Sequence, residues 1–134
     1  MNKAELQNEM LRLAKLINMP VESVMPITDK PLDETQSVVL ENGLLKLVSM
    51  ERGVVREILS TRDPDELLYF IYRRRVKGMA YAMITESEHG KLDMRRLGFK
   101  RMRELFLKFK NPSWQKRFDQ EVEEELKVAP YNDA

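Results

Sequence analysis

The chain has 134 residues, a length at which one domain buries a core without covalent staples. It contains no cysteine, which excludes disulfides and thiolate metal sites, and its formal net charge is only +1 although 34% of residues are charged. That balance exerts no global pull on nucleic acid or acidic membranes, and nowhere do about 18 apolar residues run together to span a bilayer. Asn2-Lys3-Ala4-Glu5 leads into an amphipathic pattern rather than an apolar signal core. A single cytoplasmic domain over residues 1–134 is expected, since an oxidising compartment gains nothing from a chain without cysteine.

Residues 4–18 place Leu6, Met10, Leu13, Ala14 and Ile17 at helical spacing, with Glu5, Glu9, Arg12 and Lys15 facing elsewhere. Pro20 and Pro26 forbid continuation, because proline lacks the amide hydrogen and clashes with the preceding turn. Residues 19–35 read as an irregular connection with a short turn at Val21 to Val24. Three β-favouring runs follow: Ser37 to Glu41, Leu44 to Met50 and Val54 to Thr61. Asn42-Gly43 joins the first two, a strong hairpin signal because a tight primed turn needs positive φ at both central residues. Glu51-Arg52-Gly53 turns the second run into the third. Alternation in that third run is imperfect and leaves the buried face of the sheet open.

Asp63 and Glu66 form a capping-box pattern, with Pro64 at the favoured first helical position. Leu68, Tyr72, Val76, Met79 and Met83 make the stripe of this helix, widened by Leu67 and Ile71, and His89-Gly90 reads as its stop. A second helix is expected from about Leu92 to Lys110, with Leu97, Met102, Leu105, Phe106 and Phe109 on its apolar side. Asn111-Pro112 opens a third, where Trp114, Phe118, Val122 and Leu126 recur, and Ala129-Pro130 closes it before a short tail. The expected fold is α+β: an N-terminal helix, a three-stranded antiparallel meander, then three helices packed on the sheet.

The residues for most chemistries are missing. One histidine and no cysteine cannot assemble a His/Cys metal site, and a Ser–His pair has only His89 to draw on. His89 between Glu88 and Gly90 reads as a helix-end residue near exposed carbonyls. Five glycines, none at nucleotide-binding spacing, make no phosphate loop. Glu86, Glu88 and Asp93 are the nearest carboxylate cluster, and surface carboxylates are too common to signal catalysis. A non-enzymatic protein without metal or cofactor is expected.

Charge is segregated. Residues 73–110 are strongly basic, including Arg73, Arg74, Arg75, Arg95, Arg96 and Arg103, whereas Asp119, Glu121, Glu123, Glu124 and Glu125 make the last helix acidic. The basic face has two readings: phosphate binding, as in a small nucleic-acid-binding protein, or surface pairing with the acidic helix. Tyr69, Phe70 and Tyr72 directly precede Arg73-Arg74-Arg75, residue types favoured both in cores and as interface anchors. In Asp93-x-Arg95-Arg96, the aspartate suits a helix start and can order a nearby arginine.

These residues also carry a resemblance. Glu66-Leu67-Leu68-Tyr69-Phe70-Ile71, then Met79-Ala80, Asp93-Met94-Arg95-Arg96 with Phe99, Pro112-Ser113-Trp114 and Pro130-Tyr131-Asn132-Asp133 follow one another as in the immunity protein 63 family of bacterial toxin systems. Leu16-Ile17-Asn18 and Glu51-Arg52-Gly53 also fit, so the likeness runs along nearly the whole chain through short motifs in shared order. Two departures stand out: Met94 where an aromatic is expected, and the basic Arg73-Arg74-Arg75 where the family is more acidic or apolar. The resemblance implies an antidote that binds the C-terminal domain of a cognate polymorphic toxin, as in contact-dependent inhibition. Candidate contacts are Tyr72, Arg73, Arg74, Arg75, Arg95, Arg96 and Arg103 on the basic side and Glu121 and Glu124 on the acidic side. Oligomeric state is not legible, and neither is the toxin's activity.

Overall fold

Asn2 starts the first helix, α1 (Lys3–Leu16), by accepting from the Glu5 N–H at 2.8 Å while Glu5 Oε1 accepts from the Asn2 N–H at 3.2 Å. This reciprocal capping box satisfies two amides that the helix itself leaves unpaired. In this computed structural model, which describes residues 1–133, the stripe Leu6, Met10, Leu13, Ala14 and Ile17 is buried as its spacing predicts. Ala134 and the side chain of His89 lie outside the described residues, and with them the expected role of His89 at a helix end.

A single 3-10 turn occupies Val21–Ser23, where a short turn is expected. The connection then departs from expectation: Ile27–Thr28 forms a strand, β1, pairing in parallel with Val38 and Val39. The pairing is extended by the Val38 N–H, which donates to the Pro26 carbonyl at 2.9 Å. With β2 (Thr35–Glu41), β3 (Leu44–Glu51) and β4 (Val54–Thr61), the order is β1-β2-β3-β4. The sheet is therefore four-stranded and mixed, correcting the expected three-stranded antiparallel meander. The meander itself, β2-β3-β4, is antiparallel.

Both turns take the primed form. Asn42 and Gly43 have φ of 51° and 80°, and Arg52 and Gly53 have 51° and 77°. Glu34, itself at φ 56°, accepts the Arg52 N–H at 2.8 Å and so ties one left-handed residue to another. Ser37, Val38 and Val39 are buried in succession, which for a pleated strand means that both faces of β2 are covered. The broken alternation of β4 has a cause as well. Leu47 faces Leu59 while Val48 faces Glu57, so Ile58 is an extra residue, a β-bulge that switches the side-chain phase. β4 is a sheet edge, with Val54 and Val55 exposed and the bulge and Arg56-Glu57 interrupting an otherwise ready pairing template.

The chain divides into two compact units, Met1–Ile71 and Tyr72–Ala134. Helix α2 (Pro64–Ala82) begins where Asp63 accepts the Asp65 N–H at 3.0 Å, and the Asp63 N–H turns to Thr61 Oγ1 at 3.1 Å. It stops at Ala82, short of the expected His89-Gly90. A separate turn, α3 (Glu86–His89), follows under a Thr85–Glu88 capping box, a signal that the apolar periodicity obscured. Among the described residues four helices thus follow the sheet rather than three. Helix α4 (Met94–Lys108) is capped by Asp93, and α5 (Pro112–Val128) by Asn111, which accepts the Trp114 N–H at 3.0 Å.

In the second unit the core is aromatic. Phe106 stacks on Phe118 with centroids 4.9 Å apart, and Phe109 meets Tyr72, Phe106 and Trp114 edge-on. Tyr72, Val76, Met102, Phe106, Phe118 and Val122 are buried there, so α2 beyond residue 72, α4 and α5 enclose one core.

Candidate partner-binding surface

Helix α5 presents carboxylates to the basic helices on both flanks of its buried Phe118–Val122 face. Arg73 on α2 lies 3.2 Å from Glu121, Arg95 on α4 reaches Glu125 at 3.3 Å, and Arg103 on α4 binds Asp119 at 2.9 Å. Arg73 and Arg103 also place their guanidinium carbons 5.9 and 5.8 Å from the Phe118 ring centre, where the ring quadrupole attracts cations. Segregated charge in the sequence is thus paired charge in the fold. Of the two readings of the basic face, surface pairing with the acidic helix is present in the structure.

The start of α4 and the tail form a second cluster. Arg95 grips Asp93 with Nη2 at 2.8 Å and Nε at 3.2 Å, and its Nη2 also donates to the Pro130 carbonyl at 3.0 Å. Arg96 makes a bidentate pair with Asp133 at 2.8 and 3.1 Å and lies over the Tyr131 ring, 4.0 Å from its centre. Backbone groups close the loop: the Asp93 N–H donates to Asp133 at 2.8 Å and the Asn132 N–H to Asp93 at 3.0 Å. The Arg95 side chain, then the Asn132 and Arg95 N–H groups, hold the Asp93 carboxyl well below the usual carboxylate range. Asp133 is lowered too, first by Arg96 and then by the Asp93 N–H. Two motifs some forty residues apart in sequence are one clasp.

Between these clusters lies a cleft of about 210 Å³, walled by Arg73, Lys77 and Tyr81 of α2 and by Arg95 and Glu125. Phe99 and Met102, both buried, form its apolar floor. Gly98 lets the wall close: a Cβ there would collide with the outer end of the Tyr81 ring, which would have to swing aside. The Tyr81 hydroxyl is pushed up from its ordinary pKa, mainly by burial and next by Glu125.

The structure separates the sequence-derived candidates. Tyr72 is wholly buried against Phe109 and offers no surface, a correction to its expected place among the contacts. Tyr69 is buried as well, and Phe70 half-buried. Arg74, Arg75 and Glu124 are exposed. Arg73, Arg95, Arg96, Arg103 and Glu121 all sit in ion pairs. Lys77 and Tyr81 were not singled out by sequence; the four-residue step that puts them beside Arg73 on one helix face is the signal that could have found them.

Among the described residues no group of His, Cys, Asp or Glu could hold a metal ion. No helix of these residues is long and apolar enough to cross a membrane. The family model described as Immunity protein 63 matches residues 42–124, more than half of the chain. No curated protein and no solved structure matches it. The matched span includes Asp93-Met94-Arg95-Arg96 but ends before the tail that these residues hold.

Proposed function

The chain belongs to the immunity protein 63 family, and from that membership we propose that it neutralises the C-terminal domain of a cognate bacterial polymorphic toxin by direct, non-catalytic contact. The family match is the observation that carries this reading. It implies a protein partner, and a stable inhibitory contact of ordinary size covers about 1,600 Å² in total. Contact-dependent inhibition is the setting in which such an antidote acts, in the cytoplasm of the cell it protects.

The surface on the second unit supports the reading. Arg74 and Arg75 are exposed beside a cluster of paired charges, and charged rims raise association rates and reject non-cognate partners. Nucleic-acid binding by residues 73–110 finds less support, because Arg95 and Arg103 are already neutralised by α5 and Arg96 by Asp133.

The test is co-expression with the C-terminal domain of the proposed cognate toxin. Restored growth and a complex on a sizing column are expected. Absence of both would discard the antidote reading.

A further inference from the structure

At one cleft of the second unit two cations are incompletely hydrogen-bonded among the described residues. Arg95 on one wall is saturated by Asp93, Glu125 and the Pro130 carbonyl. Arg73 on the opposite wall is held less fully: its buried Nε lies 3.2 Å from Glu121 in an ion pair but outside hydrogen-bond geometry. Buried donors are rarely left without a hydrogen bond, which marks a place where a water, an ion or a ligand group can complete the bonding. One helical turn on, Lys77 is exposed at the same cleft and has no ion pair or hydrogen bond among the described residues. Below them lies the apolar floor of Phe99 and Met102.

We infer that this cleft between α2, α4 and α5 receives an acidic side chain projected by the toxin domain, with its carboxylate held by Lys77 and Arg73 and its methylene stem on Phe99 and Met102. The inference rests on the antidote reading and deepens it by naming where one toxin residue is held. Three features select the ligand. Two cations with unused donors ask for an anion, a fork such as guanidinium favours a planar carboxylate, and a floor without polar groups asks for an aliphatic stem. A volume of about 210 Å³ admits one side chain and excludes a helix or strand. Glu125 on the far wall repels the same carboxylate, so the anion is drawn towards α2, where the unused donors are.

The experiment measures the affinity of wild-type protein and three variants for the C-terminal domain of the proposed cognate toxin, with thermal unfolding of each. Lys77→Glu should weaken the complex by about tenfold or more without lowering the unfolding temperature, because Lys77 is exposed. Lys77→Arg should stay within about threefold of wild type, and Lys116→Glu, the same charge change on α5 outside the cleft, likewise. Wild-type affinity in Lys77→Glu overturns the inference while leaving the antidote reading intact. Failure of the wild type itself to form a complex overturns the antidote reading instead. If Lys77→Glu keeps the toxin but loses salt-sensitive retention of a single-stranded RNA, the cleft takes phosphate and the inference is again overturned.

Discussion

Arg96 and Asp133 meet in a bidentate pair at 2.8 and 3.1 Å across 37 residues of chain, and that pair holds the C-terminal tail against the start of α4. Its neighbours make it more than a surface contact. Tyr131 lies under Arg96, and the same Asp133 carboxylate caps the Asp93 N–H.

Replacing Asp133 by Asn should therefore loosen the tail while leaving the rest of the second unit folded. The readout is amide hydrogen exchange: the Asp93 and Asn132 N–H groups, now bonded at 2.8 and 3.0 Å, should exchange faster by about tenfold or more. Unchanged exchange at both would show that the clasp is incidental.

The clasp also sets a pH response. Asp93 and Asp133 are both held below the ordinary aspartate value of about 3.9, so each contributes stability that is fully present above that value. It is lost as pH falls through the lowered folded-state values. Thermal unfolding temperature should be flat from neutral pH to about 5 as far as this pair is concerned, then fall towards pH 2. Asp93→Asn should flatten the acid limb relative to wild type, and an unaltered slope would contradict the assignment.

Gly98 offers a test by sign. In a helix interior, Gly→Ala ordinarily stabilises by about 0.8–1.0 kcal/mol. Here the added Cβ meets the Tyr81 ring at 2.3 Å, and displacing that ring should turn the change into a loss of about 1–2 kcal/mol. In a Tyr81→Ala background the obstacle is gone, and Gly98→Ala should stabilise. Chemical denaturation of the four proteins of the cycle checks both signs.

The aromatic core sets the largest expected loss. Phe118 is fully buried, stacks on Phe106 and meets Phe99 at 6.4 Å, so Phe118→Ala should cost about 3–5 kcal/mol in denaturant unfolding. Asp119→Ala beside it removes only the exposed partner of Arg103 and should change stability by at most about 1 kcal/mol. A similar cost for both would place the stability in the ion pairs instead.

Charge reversal of all of Arg73, Arg74 and Arg75 should abolish protection if this run faces the toxin, but Arg73 is tied to Glu121 and Phe118 and its loss would also disturb packing. Arg74→Glu with Arg75→Glu is the cleaner variant, since both positions are exposed. Lost protection with an unchanged unfolding temperature is expected in co-expression. Full protection would move the contact elsewhere on the surface.

The sequence by itself determined what depends on neighbouring residues. The positive φ of Asn42 and Gly43, the caps of α4 and α5, the buried stripe of α1 and the limits of α5 follow from dihedral preference, hydrogen-bond need and helical period, all acting within a few residues. The tertiary structure decided the rest. β1 is two residues long, too short for any periodicity to show, and exists because Val38 and Val39 have a free side to pair with. Ile58 broke the alternation of β4 through a bulge that only the register with β3 reveals. The same holds for the surface: composition could count cations, but only the path of the chain brings Asp133 to Arg96 and Glu125 to Arg95. Coulombic partners are chosen by distance in space, and that distance is not written in sequence separation.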